Sequence, residues 1–151
     1  MIFKIGANVN YLKNRPLVSI IITTFNRSDF LKKTIYSALN QTYKHIEVIV
    51  VDDGSTDNTR EAVASINGIK YIYQKNSERA AARNNGFKNS NGQYLVILDS
   101  DDLLERTMIE KCLEPFIKEN NYFPKPLGVV YGQLFFIEDN EKIIGKRYKK
   151  A

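Results

Sequence analysis

A doubly wound α/β domain, with a mostly parallel sheet and helices on both faces, is the fold this 151-residue chain predicts. Three observations carry that prediction. Largely apolar runs rich in β-branched residues at 17–23, 46–51 and 94–98 are too short for helices, and the first is too continuous for a half-exposed strand, a pattern that fits strands buried on both faces. Segments with apolar residues at three-to-four spacing lie between them, and such alternation implies parallel strands joined by right-handed helical crossovers. Acidic residues follow two of the runs directly, and in open α/β sheets ligands sit outside the carboxyl ends of strands.

Taken in order, residues 1–15 read as a short irregular extension, and Pro16 precedes the first strand. Ser28 is the expected N-cap of a helix that presents Phe30, Leu31, Ile35, Ala38 and Leu39 to the core. Gln41-Thr42-Tyr43 then leads into the second strand, and a helix at 58–66, a strand at 69–73 and a helix at 79–89 precede the strand at 94–98. The last third changes character. A helix is expected at 107–119, a strand at 128–132, and a C-terminal antiparallel hairpin of 134–137 and 142–144 turning at Asp139-Asn140, which could extend a sheet edge. The domain thus covers residues 16–145, and 146–151 form a basic tail.

Composition narrows the class. With 43% hydrophobic and 26% charged residues the chain suits one soluble domain, without repeats or low-complexity stretches. The formal charge of +5 draws on Lys146, Arg147, Lys149 and Lys150 in the last six positions, so it reads as a solvated terminus and not as a nucleic-acid surface, with peripheral contact to anionic lipid as the minority reading. Cys112 is the single cysteine, which excludes an intrachain disulfide, and it falls on an apolar helical face as inert packing. No apolar stretch reaches the roughly 18 residues of a membrane span, and the cytoplasm is the default compartment.

The chemistry gathers at strand ends. Asp99-Ser100-Asp101-Asp102 places three carboxylates in four residues; acids packed so closely resist full ionisation, and a divalent cation relieves the repulsion. Asp52-Asp53-Gly54-Ser55 closes the strand at 46–51 in the same manner, so both ends are expected to share one crevice. Asp52 reads as a partner of neighbouring backbone amides, and Asp57 with Thr56 as a helix cap. Arg79 and Arg83 lie four apart, on one face near a helix start, where anions are favoured. His45, the sole histidine, reads as a surface residue.

Thr23-Thr24-Phe25-Asn26-Arg27, Asp52-Asp53-Gly54, Asn76 to Gly86 with its Arg83-Asn84 pair, and Asp99-Ser100-Asp101 occur in an order that closely resembles the nucleotide-binding half of family 2 glycosyltransferases, the inverting family with the GT-A fold. The resemblance is strong over residues 16–104 and weaker to Gly145. It implies that Thr23 and Phe25 flank a nucleoside and that Asp53 accepts a hydrogen bond from the base, a task an ionised carboxylate suits because it cannot donate. Asn26, Gly54, Arg83, Asp99 and Ser100 complete the implied nucleotide-binding set, Gly54 by permitting a sharp backbone turn. Asp99 and Asp101 match the family's D-x-D signature, which implies a Mn2+ or Mg2+ ion held by Asp101 with Asp99 as the second metal-site residue, and with phosphate oxygens and water as further ligands. The implied partners are a nucleoside-diphosphate sugar, a uridine nucleotide by preference, and a glycan or lipid acceptor; oligomeric state stays open.

An inverting transferase also needs a general base for the acceptor hydroxyl. The family supplies it well downstream of D-x-D, whereas fewer than fifty residues follow Asp102 here, and Glu138-Asp139 reads as turn chemistry. The expectation is therefore a donor-binding portion of such an enzyme without an assigned catalytic base. A non-catalytic nucleotide-sugar module acting with a partner chain is the alternative. Dinucleotide oxidoreductases and nucleotidyltransferases are disfavoured because residues 23–27 contain no glycine. A receiver domain is disfavoured because its acid pair would follow the first strand.

Overall fold

The computed structural model describes residues 2–4, 15–117, 129–130, 134–137 and 142–147. In chain order the elements are β1 (Ile2–Lys4), β2 (Val18–Thr24), α1 (Ser28–Leu39), β3 (Ile46–Asp52), α2 (Thr59–Ala64), β4 (Ile69–Tyr73), α3 (Glu78–Lys88), β5 (Tyr94–Asp99), α4 (Met108–Ile117), β6 (Val129–Val130), β7 (Leu134–Ile137) and β8 (Ile143–Arg147). The first six strands that pair form one sheet in the order β4-β3-β2-β5-β1-β6. The β4, β3, β2 and β5 neighbours run parallel, as the alternation of strand and helix requires.

Because successive strand residues point to opposite faces, the apolar runs feed two cores. Ile20, Ile22, Val48, Val50, Val96 and Leu98 pack on one face with Leu31, Ile35 and Ala38 of α1, Val63 of α2, and Ile109, Cys112 and Leu113 of α4. Ile21, Ile49, Val51 and Leu95 pack on the other with Ala82 of α3. Each fully buried aliphatic chain contributes roughly 1.5–3 kcal/mol. The α3 layer also needs Gly86, where a Cβ would stand 2.4 Å from the Ile21 methyl.

Several expectations change. Residues 2–4 are not irregular: β1 pairs antiparallel with both β5 and β6. Its three residues, Ile-Phe-Lys, are too few for a periodicity to show. Phe30 is 45% exposed, so the buried face of α1 is Leu31, Thr34, Ile35 and Ala38. Ser28 is the first helical residue and Arg27 the N-cap, without a side-chain cap; the Ser28 amide instead donates to Asp57 Oδ2 at 3.3 Å. The hairpin forms, but β7 and β8 make a separate two-stranded sheet, and Lys146 and Arg147 of the expected tail lie within β8. The Asp139-Asn140 turn, Glu138, Gly128, residues 118–119 and 131–132, and the tail at 148–151 lie outside the described residues. Among the described residues, no helix is long and apolar enough to cross a membrane.

Candidate nucleotide-binding site

Strand order reverses at β2: β3 and β4 lie to one side of it and β5 to the other. Crevices form at such reversals because the connecting loops diverge above the strand ends. Here the carboxyl ends of β2, β3 and β5 frame a crevice of about 350 Å³, lined in part by Thr23, Phe25, Asp53, Asp99, Ser100 and Asp101. All six are residues the sequence singled out. Register brings them together, since Thr23 pairs with Val51 on one side and Asp99 on the other, and Thr24 with Asp52.

The β3 end is built by its two acids in different ways. Asp52 is 1% exposed. Its Oδ1 accepts the Ser55 amide at 2.8 Å, and its Oδ2 accepts the Tyr71 hydroxyl, so it shapes the turn as expected. Burial and the Asp52 carboxylate together push the Tyr71 hydroxyl well above its ordinary range. Asp53 Oδ1 accepts both Gln74 Nε2 at 2.7 Å and the Ser77 amide at 2.9 Å, which aims the carboxylate from behind while the residue lines the crevice. Gly54 has φ +84°, and a Cβ there would stand 2.7 Å from the Asn76 backbone nitrogen. Both the left-handed backbone and the close approach require glycine.

Asn26 is engaged in loop contacts. It adopts φ 51°, which asparagine tolerates. Its amide donates to Ser55 Oγ at 2.9 Å, and its side-chain carbonyl accepts the Thr56 amide at 2.8 Å. It thereby ties the loop after β2 to the loop after β3, and it is not among the crevice-lining residues. Asp57 strengthens the same clasp by accepting the Ser28 amide at 3.3 Å and also accepts the Thr59 amide at 3.0 Å, but the N-cap of α2 is Asn58, without a side-chain cap, so neither Asp57 nor Thr56 is the expected cap residue. The Thr59 hydroxyl bond chiefly, set against slight burial, holds the Asp57 carboxyl below its usual range.

At the β5 end, Asp99 to Asp102 form a turn closed by the Asp102 amide donating to the Asp99 carbonyl at 3.1 Å. Asp99 Oδ1 accepts Arg83 Nη2 at 2.7 Å, and Oδ2 lies 3.9 Å from Arg79 Nη1. Two guanidiniums thus already match the Asp99 charge, which makes it a poor first choice as a cation ligand. Asp101 is exposed, lines the crevice and has no hydrogen bond or ion pair among the described residues. Burial, with the Asp101 and Asp99 charges, pushes the Asp102 carboxyl up, the repulsion expected of clustered acids. No cluster of three or more potential metal-ligating side chains exists among the described residues. The donor set therefore fits a hard cation that takes most of its ligands from phosphate and water, not an all-protein cage.

Of the paired arginines, Arg79 is among the crevice-lining residues, whereas Arg83 pairs at 2.7 Å with Asp99, which lines it. Sequence reasoning missed Thr24, Arg27, Asn76 and Glu78 among the lining residues. Among the described residues, Thr24 Oγ1 is buried without a hydrogen-bond partner, as is Arg83 Nε. Buried polar atoms are nearly always partnered, so the Thr24 hydroxyl stands out on the crevice wall. Its signal in sequence was available: Thr24 follows an apolar strand, where a second polar residue has no packing purpose. Glu78 carries φ 74°, unfavourable for a residue with a Cβ, and nothing in sequence announces it. His45 is exposed and bonds the Arg15 carbonyl through Nδ1, away from the site.

The family model described as glycosyl transferase family 2 matches residues 19–149, most of the chain. The chain belongs to glycosyl transferase family 2. Chondroitin synthase of Escherichia coli is 42% identical over 112 residues, covering 72% of this chain and 16% of that protein. Among solved structures, the S. aureus TarS 1-349 complex with UDP matches with TM-score 0.62 and 27% identity, covering 68% of this chain and 32% of that one. The mannosyltransferase PcManGT from Pyrobaculum calidifontis, in complex with GDP-Man and Mn2+, matches with TM-score 0.56 and 27% identity over 67% of this chain and 31% of that one. The chain spans less than a fifth of the length of the first curated relatives it matches.

Proposed function

We propose that this chain is the donor-binding part of an inverting glycosyltransferase, taking a UDP-sugar with a divalent cation for transfer to a glycan or lipid acceptor. The observation that carries the reading is the division of labour among the aspartates. Asp53 is buffered from behind and open to the crevice, Asp99 is neutralised by arginines, and Asp101 is exposed without a partner among the described residues. A pyrimidine N–H would be read by Asp53, with Phe25, 46% exposed on the crevice wall, available to stack on the base. Arg79 and Arg27 supply positive charge for a diphosphate along the same wall. Asp101 would ligate Mn2+ or Mg2+, which when bound offsets the charge on a departing nucleoside diphosphate.

A TarS structure holding UDP and the PcManGT structure holding GDP-Man and Mn2+ support the nucleotide-sugar and metal elements of this reading by similarity. Calorimetric titration of UDP into the protein, with and without Mn2+, tests it. Wild type is expected to bind UDP about tenfold more tightly with Mn2+, and Asp101→Ala to lose that increment while retaining metal-free binding. A protein folded by circular dichroism that binds no UDP under either condition would refute the proposal.

A further inference from the structure

Helix α1 packs its apolar residues Leu31, Ile35 and Ala38 into the core, yet it also buries polar ones. Thr34 is 1% exposed and Gln41, just past the helix end, 0%. Buried polar groups are costly unless hydrogen-bonded, and each of these side chains bonds the segment after β5 as well as its own helix. Thr34 Oγ1 donates to the Ser100 carbonyl at 2.8 Å, against a weaker 3.4 Å contact to the Phe30 carbonyl in its own helix. Ser37 Oγ accepts the Leu104 amide at 3.0 Å. Gln41 Nε2 donates to the Glu105 carbonyl at 2.9 Å, and its Oε1 accepts the Ile109 amide at 3.1 Å.

Thr34, Ser37 and Gln41 therefore form a polar row, spaced to share one helical face, that grips residues 100–109 through their backbone. The first grip is the informative one. The Ser100 carbonyl belongs to the peptide unit whose nitrogen is that of Asp101, so the Thr34 hydroxyl fixes the plane from which the Asp101 side chain departs. The Asp102-to-Asp99 bond fixes the other side of the same turn. Core packing does not need this arrangement, since an aliphatic side chain at position 34 would fill the same space.

The geometry points to Thr34 as a positioning residue for Asp101, with Gln41 anchoring the far end of the segment: it sets divalent-cation affinity and leaves nucleotide affinity alone. This rests on the donor-and-cation reading above. Functional ligands must be held to within about 0.5 Å by such supporting bonds. Nucleotide contacts at Asp53 and Phe25 come from the loops after β3 and β2, which the polar row does not touch.

The test is Mn2+ titration in the presence of UDP, followed by the electron paramagnetic resonance signal of free Mn2+, with metal-free UDP affinity measured in parallel. Thr34→Val, nearly isosteric, is expected to weaken Mn2+ binding about tenfold while metal-free UDP affinity stays within about twofold; Thr34→Ser is expected to restore the metal affinity. Unchanged Mn2+ affinity in Thr34→Val, or equal loss of both affinities, would overturn the proposal. Should Thr34→Val fail to fold by circular dichroism, Ser37→Ala serves: weaker Mn2+ binding at constant UDP affinity supports the row's role, and unchanged Mn2+ binding overturns it. A wild type that binds UDP with no Mn2+ effect would instead overturn the cation reading itself, and the Thr34 proposal with it.

Discussion

At the residue scale, the site rests on side chains whose surroundings divide their tasks. Asp53 accepts two bonds at Oδ1 from Gln74 and Ser77, and an asparagine could preserve these while presenting a donor where a base N–H needs an acceptor. Asp53→Asn is therefore expected to fold normally and to weaken UDP binding about tenfold or more, read by calorimetry; undiminished affinity would remove Asp53 from base recognition. Gly54 makes a different demand. Its φ of +84° and the 2.7 Å approach of a Cβ to Asn76 N predict that Gly54→Ala loses about 1–3 kcal/mol of stability in urea unfolding. The placement of Asp53 and Asp101 at the crevice and the turn at Gly54 were legible because their chemistry or backbone freedom is specific to the residue type. Asn26 was less so: an amide serves a ligand and a loop clasp equally well, and the clasp shows only in the Thr56 and Ser55 bonds. Arg83 shows the same limit, since spacing puts Arg79 and Arg83 on one face but cannot say that the second pairs closely with Asp99.

At the scale of elements, the parallel strands were readable because a strand buried on both faces is apolar throughout, and the helices because one stripe of each is. What escaped is what periodicity does not encode: the three-residue β1, the polar row of α1, and a charged residue inside β3. Glu47 Oε1 accepts Ser19 Oγ, the Asn91 amide at 2.6 Å and the Gly92 amide at 3.1 Å, stitching β3 to β2 and to the loop before β5 at the end of the sheet remote from the crevice. Burial raises its pKa, but these bonds outweigh burial and the carboxyl is held below its usual value. A folded pKa below the unfolded one gives stability that is present above the ordinary carboxylate range and lost as pH falls through the folded pKa. Glu47→Gln is therefore expected to be less stable than wild type at pH 7, with the gap closing below the ordinary glutamate value of 4.5. Urea unfolding of both proteins from pH 7 to pH 3 measures this, and a gap independent of pH would show that the charge contributes nothing.

At the scale of the whole molecule, one sheet does two things. Its buried faces hold the domain together, and the reversal of strand order at β2 opens the crevice at one end. The fold class and the crevice's location followed from the sequence because alternation of strand and helix dictates parallel topology, which in turn dictates where ligands bind. The hairpin's separation from the main sheet did not follow, since antiparallel pairs carry no such rule about what they join. The central claim is that the crevice at the carboxyl ends of β2, β3 and β5 holds a nucleoside diphosphate with its cation. Nuclear magnetic resonance of the amides, with UDP and substoichiometric Mn2+ added, tests it directly because the paramagnetic ion broadens only nearby signals. The account predicts broadening at residues 99–102 and in the loops beginning at Phe25 and Asp53, with Glu47 and Gly92 at the opposite end of the sheet spared. Broadening centred elsewhere, or none on a folded protein, would contradict it.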